Sequence, residues 1–167
     1  VLLTFFEPGK NALTIVIKNI AQRFIRTWLA FMISSYGFAK ILKTQFQVPE
    51  NIRDIPIGEQ HPFWLTWHYF GFSREYALIL AGVEIGGAIL LLFNRTKLIG
   101  AIFLLPALIN ILFINKFYLI SPEAFRASFF FTLGIIYLIF LDYDKLRVFF
   151  FDYVSKIPPS KQLSKNI

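Results

Sequence analysis

Residues 76–93 read YALILAGVEIGGAILLLF, an unbroken apolar run with one carboxylate, Glu84, near its middle. That length approaches the roughly 20 residues an α-helix needs to cross the hydrocarbon core of a bilayer. Hydrocarbon cannot solvate a carboxylate, so Glu84 must be paired, neutralised or turned toward a polar cavity. The stretch therefore points to a membrane and marks Glu84 as a candidate functional group. The competing reading of the same residue is structural, a paired or neutral carboxyl that fixes helix register.

Three further apolar runs share this character, at 27–42, 98–115 and 124–141, with charges such as Arg23, Arg26 and Lys43 at their borders. All are slightly short, so flanking residues must snorkel or the bilayer must thin. The connections at 94–97 and around Ser121-Pro122 permit only antiparallel hairpins. The link 44–75 is long, and long connections in compact proteins are often functional. Upstream, Leu13, Val16, Ile17, Ile20 and Phe24 share one helical face while Lys18 and Arg23 lie off it. This is the pattern of a helix lying on a membrane surface. The expected fold is all-α: a four-helix transmembrane bundle, an amphipathic N-terminal interfacial helix, and a short interfacial or re-entrant helix in the first outer loop. The expected organisation is an interfacial segment 1–22, a membrane domain 23–143 and a basic cytoplasmic tail 144–167. A short amphipathic stretch is expected at 146–153, and Pro158-Pro159 should end regular structure.

Composition agrees with this. Of 167 residues, 56% are hydrophobic and only 16% charged, against about 25% charged in typical soluble domains. The net charge of +7 does not imply nucleic acid, because the basic residues cluster at the ends of apolar runs, where anionic headgroups attract them. The distribution of Lys and Arg favours both termini inside, in a bacterial inner membrane, with the first span acting as an uncleaved signal anchor. The absence of cysteine excludes disulfides, thiolate catalysis and cysteine-ligated metals.

With both termini inside, Glu84 lies about 12 Å below the outer end of its helix. Asn110 lies about 9 Å below the outer end of the third span, Lys40 sits close to the outer end of the first, and Arg126 lies one turn into the fourth. Tyr36 shares a face with Lys40. A Lys40–Glu84 ion pair, with Asn110 and Tyr36 donating, would satisfy most of this buried polarity in one cavity open to the outer side. Lys40 and Arg126 are equally suited to snorkelling, and Asn110 to bridging two helices. Small residues on the second span, including the Gly82-x-x-x-Gly86 pair, favour close helix contact, and Pro106 should kink the third.

The outer loop carries HPFWLTWHYF at 61–70. Pro62 suits the first position of a helix, and Trp64 and Trp67 suit the membrane–water boundary. Two histidines, His61 and His68, fall short of a metal or haem site without further ligands, so no metal is expected. Histidine with an aromatic neighbour, here His68 and Trp67, is also chemistry that hydrogen-bonds and stacks on a quinone.

Tyr36-Gly37-Phe38-Ala39-Lys40, followed by Gln45-Phe46, together with GVEIGGAILLLFNRT at 82–96 and an embedded Asn110, resembles the DoxX/DoxD-like membrane family. The resemblance spans residues 23–141 and implies a four-helix membrane bundle. Some members are linked to thiosulfate:quinone oxidoreductase or redox-stress complexes. The matched positions are Gly37, Lys40, Gln45, Phe46, Glu84, Gly86, Gly87 and Asn110. The resulting expectation is a membrane subunit with a polar cavity, quinone as its one candidate cofactor, and other membrane subunits and the lipid bilayer as partners. Glu84 and Lys40 would carry the chemistry, and Tyr36, Asn110, His68, Trp67 and Arg126 would bind the ligand. The alternative is a non-enzymatic scaffold subunit. No nucleotide-binding loop is present, so any electron carrier besides quinone would come from a partner.

Overall fold

The computed structural model describes residues 12–153, and every regular element among them is helical. The expected interfacial residues 1–11 and the tail beyond 153, Pro158-Pro159 included, lie outside the described residues. In chain order the helices are α1 (Ala12–Ile41), α2 (Glu50–Arg53), a 3₁₀ turn (Ile57–Glu59), α3 (Pro62–Phe72), α4 (Arg74–Leu92), α5 (Lys97–Phe117), α6 (Pro122–Leu141) and α7 (Tyr143–Arg147). A π-helical turn (Val148–Tyr153) continues α7.

Three of these, α4, α5 and α6, are long and apolar enough to cross a membrane. Helix α1 is longer, at 30 residues, but carries Lys18, Arg23, Arg26 and Lys40 along its length. The sequence pattern divides this region into a surface helix and a span, whereas the structure makes it one continuous helix. The physical reason is local. Gln22, Arg23, Phe24, Ile25 and Arg26 include neither proline nor glycine, so nothing breaks the hydrogen-bond ladder where the hydropathy changes.

Helix starts follow local chemistry. Ser73 Oγ accepts from Tyr76 N at 3.1 Å and Ser121 Oγ from Ala124 N at 3.0 Å. Each satisfies one of the orphan donors of a first turn. Pro62 and Pro122 occupy first-turn positions where no N–H is needed. Helix α1 ends differently. Lys43 turns into the left-handed region at φ 57°, and the Arg74 guanidinium donates to the carbonyls of Lys40 and Ile41, both at 2.7 Å. A cation from α4 thus caps the negative end of α1.

The four long helices close into a ring in the order α1, α4, α5, α6, with α6 returning to α1 through Leu29, Phe131 and Ile135. Where helices associate in lipid, close backbone approach replaces hydrophobic drive. Gly100 shows this. A Cβ there would lie 2.9 Å from Gly87 O and from Leu91 N, both backbone atoms of α4. Gly37 does the same between α1 and α4, where a Cβ would meet Ile85 Cγ1 at 2.6 Å. Gly82 and Gly86 behave otherwise, since a Cβ at either would have nothing from another element within 4 Å among the described residues. The small-residue pair that stands out in the sequence is not the one that packs this chain.

One half of the ring is dry, built on Leu29, Ile33, Leu91, Leu104 and Ile135. Beyond it, at the end remote from α3, Arg26 Nη1 donates to Asn94 Oδ1 at 2.7 Å. At the same end Asp142 pairs with Lys97 at 2.7 Å and Lys145 at 2.6 Å. Burial pushes the Asp142 carboxyl up, but hydrogen bonds from Lys145 and Lys97 and their charges outweigh it, so its pKa lies below the ordinary aspartate value.

Gly100→Ala should lower the apparent melting temperature in mild detergent, because its methyl meets backbone that cannot yield. Overpacking of this kind costs about 1–3 kcal/mol. Gly82→Ala should be neutral or raise it slightly. Because the Asp142 pKa is lowered on folding, its contribution is full above the ordinary value of 3.8 and is lost as pH falls through the folded value. Acid unfolding followed by circular dichroism should therefore lose part of its steepness below that pH in Asp142→Asn.

Candidate functional site

The other half of the ring is not dry. Lys40 sits on the last turn of α1 and Glu84 at the middle of α4. The Lys40 ammonium donates to Glu84 Oε1 at 2.8 Å and to Oε2 at 2.7 Å. Both side chains are about 95% removed from solvent, at 6% and 5% exposure. A third, longer contact runs from Nζ to Tyr36 O at 3.5 Å, which the i, i+4 spacing on α1 provides.

This pair forms part of the wall of a cavity of about 430 Å³ enclosed by α1, α4, α5 and α6 and covered by α3. Tyr36, Lys40, Glu84, Asn110 and Trp67 all line it. The cover is aromatic. Phe63 stacks on Trp67 at 4.1 Å, and Phe46 stacks on Phe70 at 5.2 Å. Phe46 adopts φ 65°, a left-handed conformation that is uncommon for a bulky residue. That turn brings its ring to 5.8 Å from Lys40 Nζ, within cation–π range. Gly71 makes room for the turn, since a Cβ there would fall 2.5 Å from Phe46 O.

A second polar strip faces the pair from α5 and α6. Asn115 Nδ2 donates to Ser128 Oγ at 3.0 Å and to Ala124 O at 3.1 Å, and Thr132 Oγ1 donates to Ser128 O at 2.7 Å. Asn115 and Ser128 line the cavity, as do Gln45, Phe46 and Thr66. Of these, Gln45 and Phe46 are matched positions of the family resemblance, whereas the sequence pattern does not mark Asn115, Ser128 or Thr66. Asn115 ends the apolar run 98–115 and stands beside Lys116. The available signal was Ser128 and Thr132, four apart on one face of an otherwise apolar helix.

Two expected residues are placed elsewhere. Arg126 pairs with Glu123 at 3.1 Å on the exposed start of α6, with 62% and 74% of the two side chains accessible. It does not line the cavity. His68 points away from the Lys40–Glu84 cavity because it lies on the opposite face of α3 from Phe63, Thr66, Trp67 and Phe70. It lines a second and more open cavity with Arg53, Gln60, Tyr69 and Tyr76.

Three apolar helices of spanning length define a helical integral membrane protein, and a buried ammonium–carboxylate pair forms part of the wall of its internal cavity. Compared with known proteins, the chain is 38% identical over 98 residues to the uncharacterized protein YwoB of Bacillus subtilis (strain 168), a match covering 59% of this chain and 62% of that one. The match thus spans less than two thirds of that relative's length. No family model and no solved structure matches the chain.

Removing one member of a buried pair leaves the other charge unpaired, at a cost of about 3–5 kcal/mol, whereas apolar replacement of both is often neutral. Lys40→Met should therefore lower thermal stability in detergent strongly, and Lys40→Met combined with Glu84→Leu should recover most of the loss.

Proposed function

We propose that the chain is an integral membrane component of a quinone-linked oxidoreductase system and that the Lys40–Glu84 cavity is its ligand site. In this reading α1 is the fourth span, its N-terminal turns rest on the inner surface of a bacterial inner membrane, α3 is an interfacial lid, both termini are cytoplasmic, and the cavity faces the outer leaflet. The observation that carries the reading is the meeting of a buried ion pair and a set of stacked aromatic rings in one cavity.

The lining suits a planar ring with carbonyl oxygens. Phe46, Phe63 and Trp67 offer ring faces and edges, and Lys40, Tyr36 and Asn110 offer hydrogen-bond donors. The volume falls among those of small-ligand pockets, about 300–1,000 Å³. A quinone supplies coupled electron and proton chemistry when bound. The chain's own part is to orient the ring, exclude water beneath α3, hold positive charge on Lys40, and accept or deliver a proton at Glu84. The resemblance of residues 23–141 to DoxX/DoxD-like proteins supports the same reading.

One observation favours a second reading, a scaffold subunit of a larger membrane complex. Gly82 and Gly86 present a small-residue face on α4 that no other helix among the described residues approaches. Such a face suits a helix from another subunit.

A short-chain benzoquinone or naphthoquinone added to the purified protein in mild detergent should quench tryptophan fluorescence saturably. Trp67→Phe should remove most of that quenching. Glu84→Gln combined with Lys40→Met leaves no buried charge unpaired, so it should retain the fold and any co-purifying subunits while losing proton-coupled turnover. Quenching that is linear and indifferent to Trp67 argues against the ligand site. Loss of co-purifying subunits in that double variant, with the helical fold retained by circular dichroism, favours the scaffold.

A further inference from the structure

Four helices wall the Lys40–Glu84 cavity, and three of the four seams between them are tied at its height. Between α1 and α4 the tie is the ion pair itself. Between α5 and α6 it is Asn115, whose amide donates to Ala124 O and Ser128 Oγ. Between α6 and α1 the rings of Tyr36 and Phe131 meet edge to face, with centroids 6.0 Å apart. The seam between α4 and α5 has no such tie. Among the described residues, no side-chain hydrogen bond, ion pair or ring contact joins these two helices at that height. Their close approaches, at Gly87 and Gly100, fall in the dry half.

The cavity reaches this untied seam. Val83 on α4 and Ala107 and Asn110 on α5 all line it. Val83 lies one turn from Gly87, which meets Leu104 of α5, so it shares the α5-facing side of α4. Asn110 is exposed as well as lining the cavity, so the inner space and the surroundings of the bundle meet at this residue. Its side-chain amide has no hydrogen-bond partner among the described residues. An unpaired amide on a spanning helix is costly against hydrocarbon, and it offers both donors and an acceptor to a polar group beside it. Its neighbours Leu80, Val83, Ala107 and Ile111 are apolar and suit a hydrocarbon chain. A space of about 430 Å³ takes a ring-sized head, and a long tail attached to that head needs a way out.

We propose that the cavity opens sideways into the bilayer between α4 and α5, and that its ligand is a tailed amphiphile taken from the lipid phase. The polar ring enters toward the ion pair, a polar group on its tail side bonds to Asn110, and the tail leaves past Val83 and Ala107. This rests on the reading of the cavity as a ligand site and adds to it the route and the tail. A ligand arriving from the lipid does not require α3 to open, so the aromatic cover keeps water out throughout.

The test uses the whole chain in lipid nanodiscs and two probes, a naphthoquinone without a tail and one with an alkyl tail that carries a photoactivatable diazirine beside the ring. Irradiation should place adducts on Val83, Ala107 or Asn110, located by peptide mass spectrometry, and excess tail-less compound should abolish them. Ala107→Phe, which fills the seam, should remove most of the labelling. Ile89→Phe, at an exposed position on α4, should leave it unchanged. Adducts concentrated on Tyr36 and Phe131, or on α3, put the entrance elsewhere and overturn the proposal, as does a lack of adducts while the tail-less compound binds. Adducts that survive both the competitor and Ala107→Phe come from tails dissolved in the surrounding lipid and overturn it too. Adduct positions are read on the unsubstituted chain, so a misfolded Ala107→Phe leaves the proposal testable. Failure of the tail-less compound to quench Trp67 saturably is a separate result, against the quinone reading. The seam is then judged without quinone through Ile111→Cys, on the cavity wall of this cysteine-free chain. A bilayer-soluble maleimide should modify that thiol while a charged, membrane-impermeant one does not, and equal rates overturn the proposal.

Discussion

The contact between Lys40 and Glu84 organises this half of the molecule. A carboxylate at the middle of an apolar helix demands a partner on another helix. Lys40 can serve only if the last turn of α1 lies beside the middle of α4. Gly37 permits that approach three residues earlier, where any side chain would strike Ile85. Arg74 then fixes the end of α1 by donating to the carbonyls of Lys40 and Ile41. The ion pair, the glycine crossing and the guanidinium cap are three parts of one constraint on the α1–α4 register.

The pair also explains why the bundle is hollow at this end and filled at the other. Toward the α3-distant end, Leu29, Leu91, Leu104 and Ile135 interdigitate without exposed surface. Toward α3, the polar side chains of α1, α4, α5 and α6 face inward, where apolar residues would otherwise meet. Asn115, Ser128 and Thr132 satisfy one another and the backbone, so Asn115 and Ser128 line the cavity without demanding that it close. The aromatic layer of Phe46, Phe63, Trp67 and Phe70 then covers the space. The cavity is thus a consequence of where charge must be paired, and its cover is a consequence of the left-handed turn at Phe46.

Much of this was legible in the residues. Apolar runs gave α4, α5 and α6 to within a few positions, because spanning length is set by bilayer thickness and not by tertiary context. Helix α3 could be anticipated from Pro62. The grouping of Tyr36, Lys40, Glu84 and Asn110 followed from depth alone, because helices of fixed rise in antiparallel hairpins place residues at calculable heights. Depth does not give azimuth, and the misplacements arise there. Arg126 has the right height but the wrong direction, and Glu123 three residues before it offers an exposed partner. Gly82 and Gly86 have motif spacing, yet the close contacts fall at Gly37, Gly87 and Gly100. The continuity of α1 is hidden for the converse reason, since a change in hydropathy along a helix need not be a change in structure.

Helix α3 carries the azimuth problem to its limit. Phe63, Thr66, Trp67 and Phe70 line one cavity, and Leu65, His68, Tyr69 and Phe72 line the other. Each set has the i, i+3, i+4, i+7 spacing of a single helical face. Ordinary amphipathic reasoning looks for one apolar face and one polar face, and here both are aromatic with a polar residue among them. A helix placed between two partly apolar spaces needs no polar side, so its sequence carries no signal of which face meets which space. Trp67 and His68 are adjacent in sequence, and that adjacency sends them to different cavities, because consecutive helical residues point about 100° apart. His68 therefore lines the same cavity as Arg53 and Gln60, and the ion pair shares its cavity with Trp67 and Phe46.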